Sequence, residues 1–192
     1  LEYHQGDFQV KGTRVGIGIF DLCSQQSDNS ISVKRKKELT GRSWPNGCHV
    51  AEVEIDAETG EVRLDRYVSV DDVGNTVNPM IVHGQVQGGI ASGLGQAVLE
   101  RTEYDASGQL LSGSYMDYAL PRADDMPSLS GSLFEKVPCL TNPLGAKGTG
   151  EIGAVAGPPA IVHAVIDALA EKGITQVDMP LQPQKIWECL NR

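Results

Sequence analysis

Val50-Ala51-Glu52-Val53-Glu54-Ile55-Asp56 alternates strictly, with Ala51, Val53 and Ile55 on one side and Glu52, Glu54 and Asp56 on the other. Successive side chains of a strand point to opposite faces, so the stretch predicts a strand buried on one face only. Asp56-Ala57-Glu58-Thr59-Gly60 then supplies turn residues with glycine last. Val62, Leu64 and the run Tyr67 to Val70 resume an apolar-rich strand, completing a β-hairpin.

Downstream, Asn78-Pro79 predicts a helix start, with asparagine as N-cap and proline at the first helical position. Val82, Val86, Ile90, Leu94 and Val98 follow at spacing four. Gly84, Gly88 and Gly89 would leave part of this helix bare, open to another backbone or a flat ligand. Pro158-Pro159 predicts the opening of a second helix, carried by Ile161, Val162, Val165, Ile166 and Leu169 and stopped at Gly173. Pro183 starts a short last helix with Ile186, Trp187 and Leu190.

Further strands are predicted within Val15 to Phe20, within Glu103 to Met126 and over Leu133 to Leu140. The Glu103 to Met126 segment includes a turn at Asp105 to Gly108 and a break at Pro121-Arg122. Residues 1 to 13 are polar and read as loosely held, Ser24 to Ser43 as a long loop, and Asn142 to Gly157, which has no periodicity, as another loop. Strands and helices interleave without a regular βαβ rhythm. The predicted fold class is therefore α+β, a mixed sheet with packed helices. At 192 residues, with no repeat or convincing linker, the chain reads as a single domain, 1–192. It begins with Leu1 rather than Met, which points to a piece of something longer.

Composition narrows the function classes. The chain is 40% hydrophobic and 21% charged, near globular averages, and no apolar run approaches the roughly 18 residues of a membrane span. A net charge of −9 argues against general affinity for nucleic acid or anionic membranes. The basic run Lys34-Arg35-Lys36-Lys37 reads as a solvated loop or subunit-facing patch. The cysteines at 23, 48, 139 and 189 form no C-x-x-C pair, so no metal ligands are expected from this chain. With no secretory signal recognisable, free thiols and a cytoplasmic location are the expectation.

Glycine, 22 of 192 residues, is distributed unevenly. One cluster is Gly84, Gly88, Gly89, Gly93 and Gly95; the other is Gly145, Gly148, Gly150, Gly153 and Gly157. The bland explanation is tight packing and the sharper one a cofactor needing backbone at close range. Gly148-Thr149-Gly150-Glu151-Ile152-Gly153 satisfies G-x-G-x-x-G, with Asp167 downstream, but a dinucleotide fold needs a strand into the first glycine and a helix at the last. Pro143 interrupts the approach, and Pro158-Pro159 places the helix later. Lys147 precedes the glycine pair with no P-loop serine or threonine directly behind it.

Within the second cluster Glu151 is the candidate general base, since flanking glycine leaves its oxygens little local competition and partial burial would favour proton uptake. The bland alternative is a carboxylate bonded to N–H groups of its own loop. Histidines 4, 49, 83 and 163 form no metal-binding pair and read as structural, and Asp71-Asp72 as acids capping a turn.

Taken together, the stretches Gly41-Arg42-Ser43-Trp44-Pro45-Asn46-Gly47-Cys48-His49-Val50, Val70-Asp71-Asp72-Val73-Gly74, Gly84-Gln85-Val86-Gln87-Gly88-Gly89, Asp117-Tyr118-Ala119-Leu120-Pro121-Arg122 and Gly145-Ala146-Lys147-Gly148-Thr149-Gly150-Glu151 are specific. The chain resembles the C-terminal molybdopterin-binding region of the molybdenum hydroxylase large subunit, the family of xanthine dehydrogenase, aldehyde oxidoreductase and aerobic carbon monoxide dehydrogenase. The ending Met179-Pro180-Leu181-Gln182-Pro183 with Trp187 is similar as well.

The resemblance implies a molybdenum-molybdopterin cofactor, in its cytosine dinucleotide form if the source is prokaryotic, with 2Fe-2S clusters and FAD on other domains or subunits. It implies that Glu151 is the base acting on a molybdenum-bound hydroxide. Gln85 would hydrogen-bond the pterin, and Lys147, Gly148, Thr149 and Gly150 would form the cofactor-binding loop. The implied partners are the remainder of the molybdenum-binding chain, the iron–sulfur and FAD subunits or domains, and a small-molecule substrate: an aldehyde, a purine, an N-heterocycle or carbon monoxide. The rival reading is a non-catalytic assembly module that retains the fold.

Overall fold

The computed structural model describes residues 1–36, 38 and 41–191; Lys37, the last residue of the basic run, lies outside them. The chain falls into two compact units, Leu1–Glu38 and Leu39–Arg192.

The first unit is an antiparallel meander of three short strands, β1 (Glu2–His4), β2 (Asp7–Gln9) and β3 (Gly16–Gly18), followed by the short helix α1 (Ile19–Ser24). The segment read as loosely held is thus paired: Tyr3 lies opposite Phe8, and Phe8 opposite Ile17. Backbone hydrogen bonding supplies this order. None of the unit's described residues is fully buried, so no hydrophobic pattern was there to announce it.

In the second unit the predicted hairpin is β4 (Asn46–Ile55) and β5 (Val62–Asp72), paired antiparallel, with Gly60 at φ +76° in the turn. Its third strand, β6 (Ser128–Leu133), runs parallel to β5 on the other side, giving the order β4-β5-β6 and the mixed sheet of an α+β fold. Two strand expectations shift here. Leu133 to Leu140 is strand only at its first residue, and Glu103 to Met126 holds an isolated bridge from Tyr104 to Leu110 and a 3-10 turn at Ala123–Asp125. Asp105 ties the turn between Tyr104 and Leu110 to itself by accepting from the amides of Ser107 and Gln109.

A bulge decides which side chains reach the interior. The register slips between Glu52 and Val53, so Leu64 faces Val53 and Arg66 faces Glu52, leaving Asp65 extra. Buried positions on β5 change phase there, from Val62 and Leu64 to Tyr67, Ser69 and Asp71. Val68 and Val70 consequently turn outward.

Helix α2 (Pro79–Leu94) starts as predicted, with the Asn78 side chain accepting from the Ile81 amide, and Val82, Val86, Ile90 and Leu94 are all buried. Helix α3 (Ile152–Ala168) begins six residues before Pro158, so residues 152 to 157 of the expected loop are helical and both prolines lie inside. Proline offers no N–H to the preceding turn and ordinarily disfavours this position. Here α3 is held by α2, where Gly89 meets Gly153 and Gly93 meets Gly157 and Pro158. The core of Tyr67, Val86, Ile90, Ile161, Val165, Leu169, Leu181 and Ile186 joins the sheet, both helices and α4 (Pro183–Leu190). No helix among the described residues is long and apolar enough to cross a membrane.

Candidate functional site

Two adjacent acids at the end of β5 organise the site. Asp71 and Asp72 point to different partners, as neighbouring strand residues must. Asp71, 1% exposed, lies 2.9 Å from His49 Nε2, and the other ring nitrogen, Nδ1, lies 2.8 Å from the Tyr67 hydroxyl. Burial, reinforced by the Asp71 charge, pushes the Tyr67 phenol up, so it keeps its proton. Each ring nitrogen of His49 thus has one polar partner, the Tyr67 hydroxyl on one side and the Asp71 carboxylate on the other. Gly47 makes room for it, since a methyl group there would stand 2.6 Å from Asp71 Oδ1.

Asp72 turns the other way, to Lys147. Its Oδ2 accepts from the Lys147 ammonium at 2.6 Å and its Oδ1 from the Gly74 amide at 2.8 Å, with both side chains at most 10% exposed. Burial alone would raise the Asp72 carboxyl; the Lys147 ammonium and the Gly74 N–H outweigh it and hold the group below the usual carboxylate range. The acids read as turn caps are therefore cap and anchor in Asp72, and a buried histidine partner in Asp71.

Beyond Lys147 the chain enters a cavity of about 610 Å³ walled by Trp44, Pro45, His49, Gly148, Thr149, Gly150, Glu151 and Val155, among others. Here the glycines are open: nothing lies within 4 Å of where a side chain would begin at Gly148 or Gly150. Thr149 Oγ1 is buried with no hydrogen-bond partner among the described residues. Glu151 stands at the N-cap of α3, exposed rather than partly buried, and its carboxylate makes no cap hydrogen bond. Its oxygens are not spent on its own loop, contrary to the bland alternative. An exposed, uncapped carboxylate and bare backbone lining one cavity, with an orphaned hydroxyl buried in the same loop, fit a polar ligand that approaches main chain closely.

Of the residues singled out from sequence, the structure gathers Gly148, Thr149, Gly150 and Glu151. Lys147 sits at the root of the same loop with its ammonium turned away, onto Asp72. Gln85 does not line this cavity; it is exposed on α2 between Gly84 and Gly88, which also have open space around them. His49 was the residue that sequence reading left out of the site. Its signal was the alternation of Ala51, Val53 and Ile55 carried back one step, which puts His49 on the inward face. The G-x-G-x-x-G frame keeps a helix at its last glycine, but Ala146 makes only an isolated bridge to Gly74, so no strand runs into Gly148.

Comparison with known proteins identifies the family of the chain. Residues 1–127 match the molybdopterin cofactor-binding domain family. The gamma subunit of the 6-hydroxypseudooxynicotine dehydrogenase complex of Paenarthrobacter nicotinovorans is 32% identical over 97% of this chain and 25% of its own length. The carbon monoxide dehydrogenase large chain of Hydrogenophaga pseudoflava is 37% identical over 77% of this chain and 18% of its own. Quinoline 2-oxidoreductase from Pseudomonas putida 86 superimposes with a TM-score of 0.72 at 40% identity, covering 77% of this chain and 19% of that one. The chain thus spans a quarter or less of the length of these relatives.

Proposed function

Because the chain belongs to the molybdopterin cofactor-binding domain family, we propose that it is the C-terminal part of the catalytic large subunit of a molybdenum hydroxylase, with Glu151 as its general base. The observation that carries this reading is the unbonded Glu151 carboxylate sharing a cavity with the partnerless Thr149 hydroxyl.

When bound, the cofactor would supply the two-electron redox chemistry of the reaction. The chain's own residues do the rest. Gly148 and Gly150 let main chain approach the group, Thr149 offers its hydroxyl, and Lys147 closes the root of the loop. Gln85 contributes an amide from the bare face of α2. Glu151 accepts, on a carboxylate oxygen, the proton lost by the oxygen nucleophile as it attacks an electron-poor substrate. For that transfer the carboxylate must come within about 3 Å of the proton donor.

The same reading proposes the cytosine dinucleotide form of the cofactor, iron–sulfur and FAD carriers on other domains or subunits, a cytoplasmic location, and one domain over residues 1–192. Relatives named as a gamma subunit and a large chain support an assembly of several subunits. The substrate class is an aldehyde, a purine, an N-heterocycle or carbon monoxide.

Glu151→Gln tests the assignment, since it keeps the size and loses the proton acceptor. In the complete, molybdenum-loaded enzyme, reduction by substrate should slow at least about a hundredfold, within the usual range for general-base assistance, with metal content unchanged. A near-normal rate would leave Glu151 a structural loop carboxylate and overturn the base assignment.

A further inference from the structure

The carboxylate proposed as base sits on a loop with little to hold it. Gly148 and Gly150 touch no neighbour where side chains would begin, and Thr149 Oγ1 is unbonded. Order must therefore come from the two ends of the loop. One end is α3, which starts at Ile152. The other is the segment 142–147, which is bound closely to the chain just beyond β5.

That attachment is dense. Lys147 N donates to the Val73 carbonyl at 2.7 Å, and Gly145 O accepts from the amides of both Asn75, at 2.9 Å, and Cys139, at 2.8 Å. The Asn75 side chain donates to Leu144 O, and Asn142 closes the segment on itself through Ala146 O. Gly74, at φ +65°, lies so close to Gly145 O that no side chain fits between them. In the middle of these neutral contacts sits one buried pair of opposite charges, Lys147 and Asp72, 75 residues apart in sequence.

We propose that the Asp72–Lys147 ion pair is a positioning device for Glu151: it pins the root of the glycine loop to the end of β5 and so sets where the base stands in the cavity. The proposal rests on the reading of Glu151 as base. A buried ion pair is a poor source of stability, because desolvating two charges offsets most of their attraction, and apolar or neutral replacements are often no less stable. What such a pair supplies is one geometry. Lys147 is three residues from the Gly150-Glu151 peptide, and the intervening residues add no restraint of their own, so an error at Lys147 is passed on to the carboxylate. Asp71, one residue before Asp72, fixes His49 in the facing wall. Neighbouring acids on one strand thus place both sides of the cavity.

The test uses the complete, loaded enzyme and three variants: Lys147→Met, the double variant Asp72→Asn with Lys147→Met, and Glu151→Gln. Lys147→Met strands a buried carboxylate, so it should lose thermal stability as well as turnover. The double variant removes both charges, leaves an amide oxygen for the Gly74 N–H, and should regain stability. Its kcat per bound molybdenum should nevertheless stay about 10- to 100-fold low, the scale expected for a misplaced reacting group, with KM little changed. Hydrogen exchange in the peptide spanning residues 139–151 should be faster than in the parent, with the hairpin turn, residues 53–64, as unchanged internal reference. A double variant with parental exchange and parental kcat per metal overturns the proposal. If Glu151→Gln also turns over normally, the failure lies with the base assignment, and the exchange measurement still decides whether the pair orders the loop.

Discussion

Gly153 and Gly88 carry a prediction in which one substitution has opposite signs on two helices. A methyl group at Gly153 would stand 2.6 Å from Ile90 N and 2.8 Å from Gly89 C, and would overlap the Val86 carbonyl oxygen. All three are backbone atoms of α2, so no side chain can swing aside. Reaching ordinary contact distances requires the helices to part by roughly 1 Å. Overpacking of this kind costs about 1–3 kcal/mol, and backbone clashes belong at its upper end. Alanine returns about 0.5–1 kcal/mol through better helix propensity. The net loss for Gly153→Ala is about 2 kcal/mol, or a melting point lower by about 4–8 °C for a domain of this size. Gly88 has nothing within 4 Å, so Gly88→Ala keeps only the gain and should melt slightly higher. Thermal unfolding of both variants beside the parent, followed by tryptophan fluorescence through Trp187 on α4, measures the difference. Should Gly153→Ala melt at or above the parent, the close helix crossing is wrong. Should Gly88→Ala fall as far as Gly153→Ala, the open face of α2 is wrong.

Two further outcomes concern single side chains. Gln85→Ala in the complete enzyme should lower molybdenum-cofactor occupancy, by removing a hydrogen bond worth about 1–3 kcal/mol if its partner stays buried, with residual activity proportional to metal content; full occupancy without turnover would refute the binding role. Asp72 titrates below its ordinary value in the folded protein because of Lys147 and Gly74, so its stabilising contribution is complete above the unfolded carboxylate pKa of about 3.9 and disappears as pH falls through the lower folded value. Urea midpoints measured downward from pH 5 should therefore fall less steeply for Asp72→Asn than for the parent, and identical slopes would remove Asp72 from the acid response.

Much of the architecture was legible where burial follows a period. The alternation around Val53 and the fourfold spacing from Val82 to Leu94 each bury one face, so β4 and α2 could be read directly. Helix α3 was misplaced because Pro158-Pro159 looks like an opening, whereas packing of Gly153, Gly157 and Pro158 on α2 carries the helix through both prolines. The phase change at Asp65 was hidden because a bulge shows only once the partner strand is known. The glycine loop announced Gly148, Thr149, Gly150 and Glu151 by composition. The role of Lys147 did not appear, since its partner Asp72 is close only after the fold has formed.

The parallel pairing of β6 with β5 has a kinetic corollary. The hairpin closes through a short turn, with all its ladder contacts inside Asn46–Asp72. The glycine loop must wait until the chain has gone out through α2, returned along β6 and brought Ala146 back to Gly74. Closing so large a loop carries an entropic cost that local pairing does not, and long-range contacts of this kind form slowly. The glycine loop accordingly forms after the hairpin, and a nascent chain presents β4 and β5 before it presents the cavity.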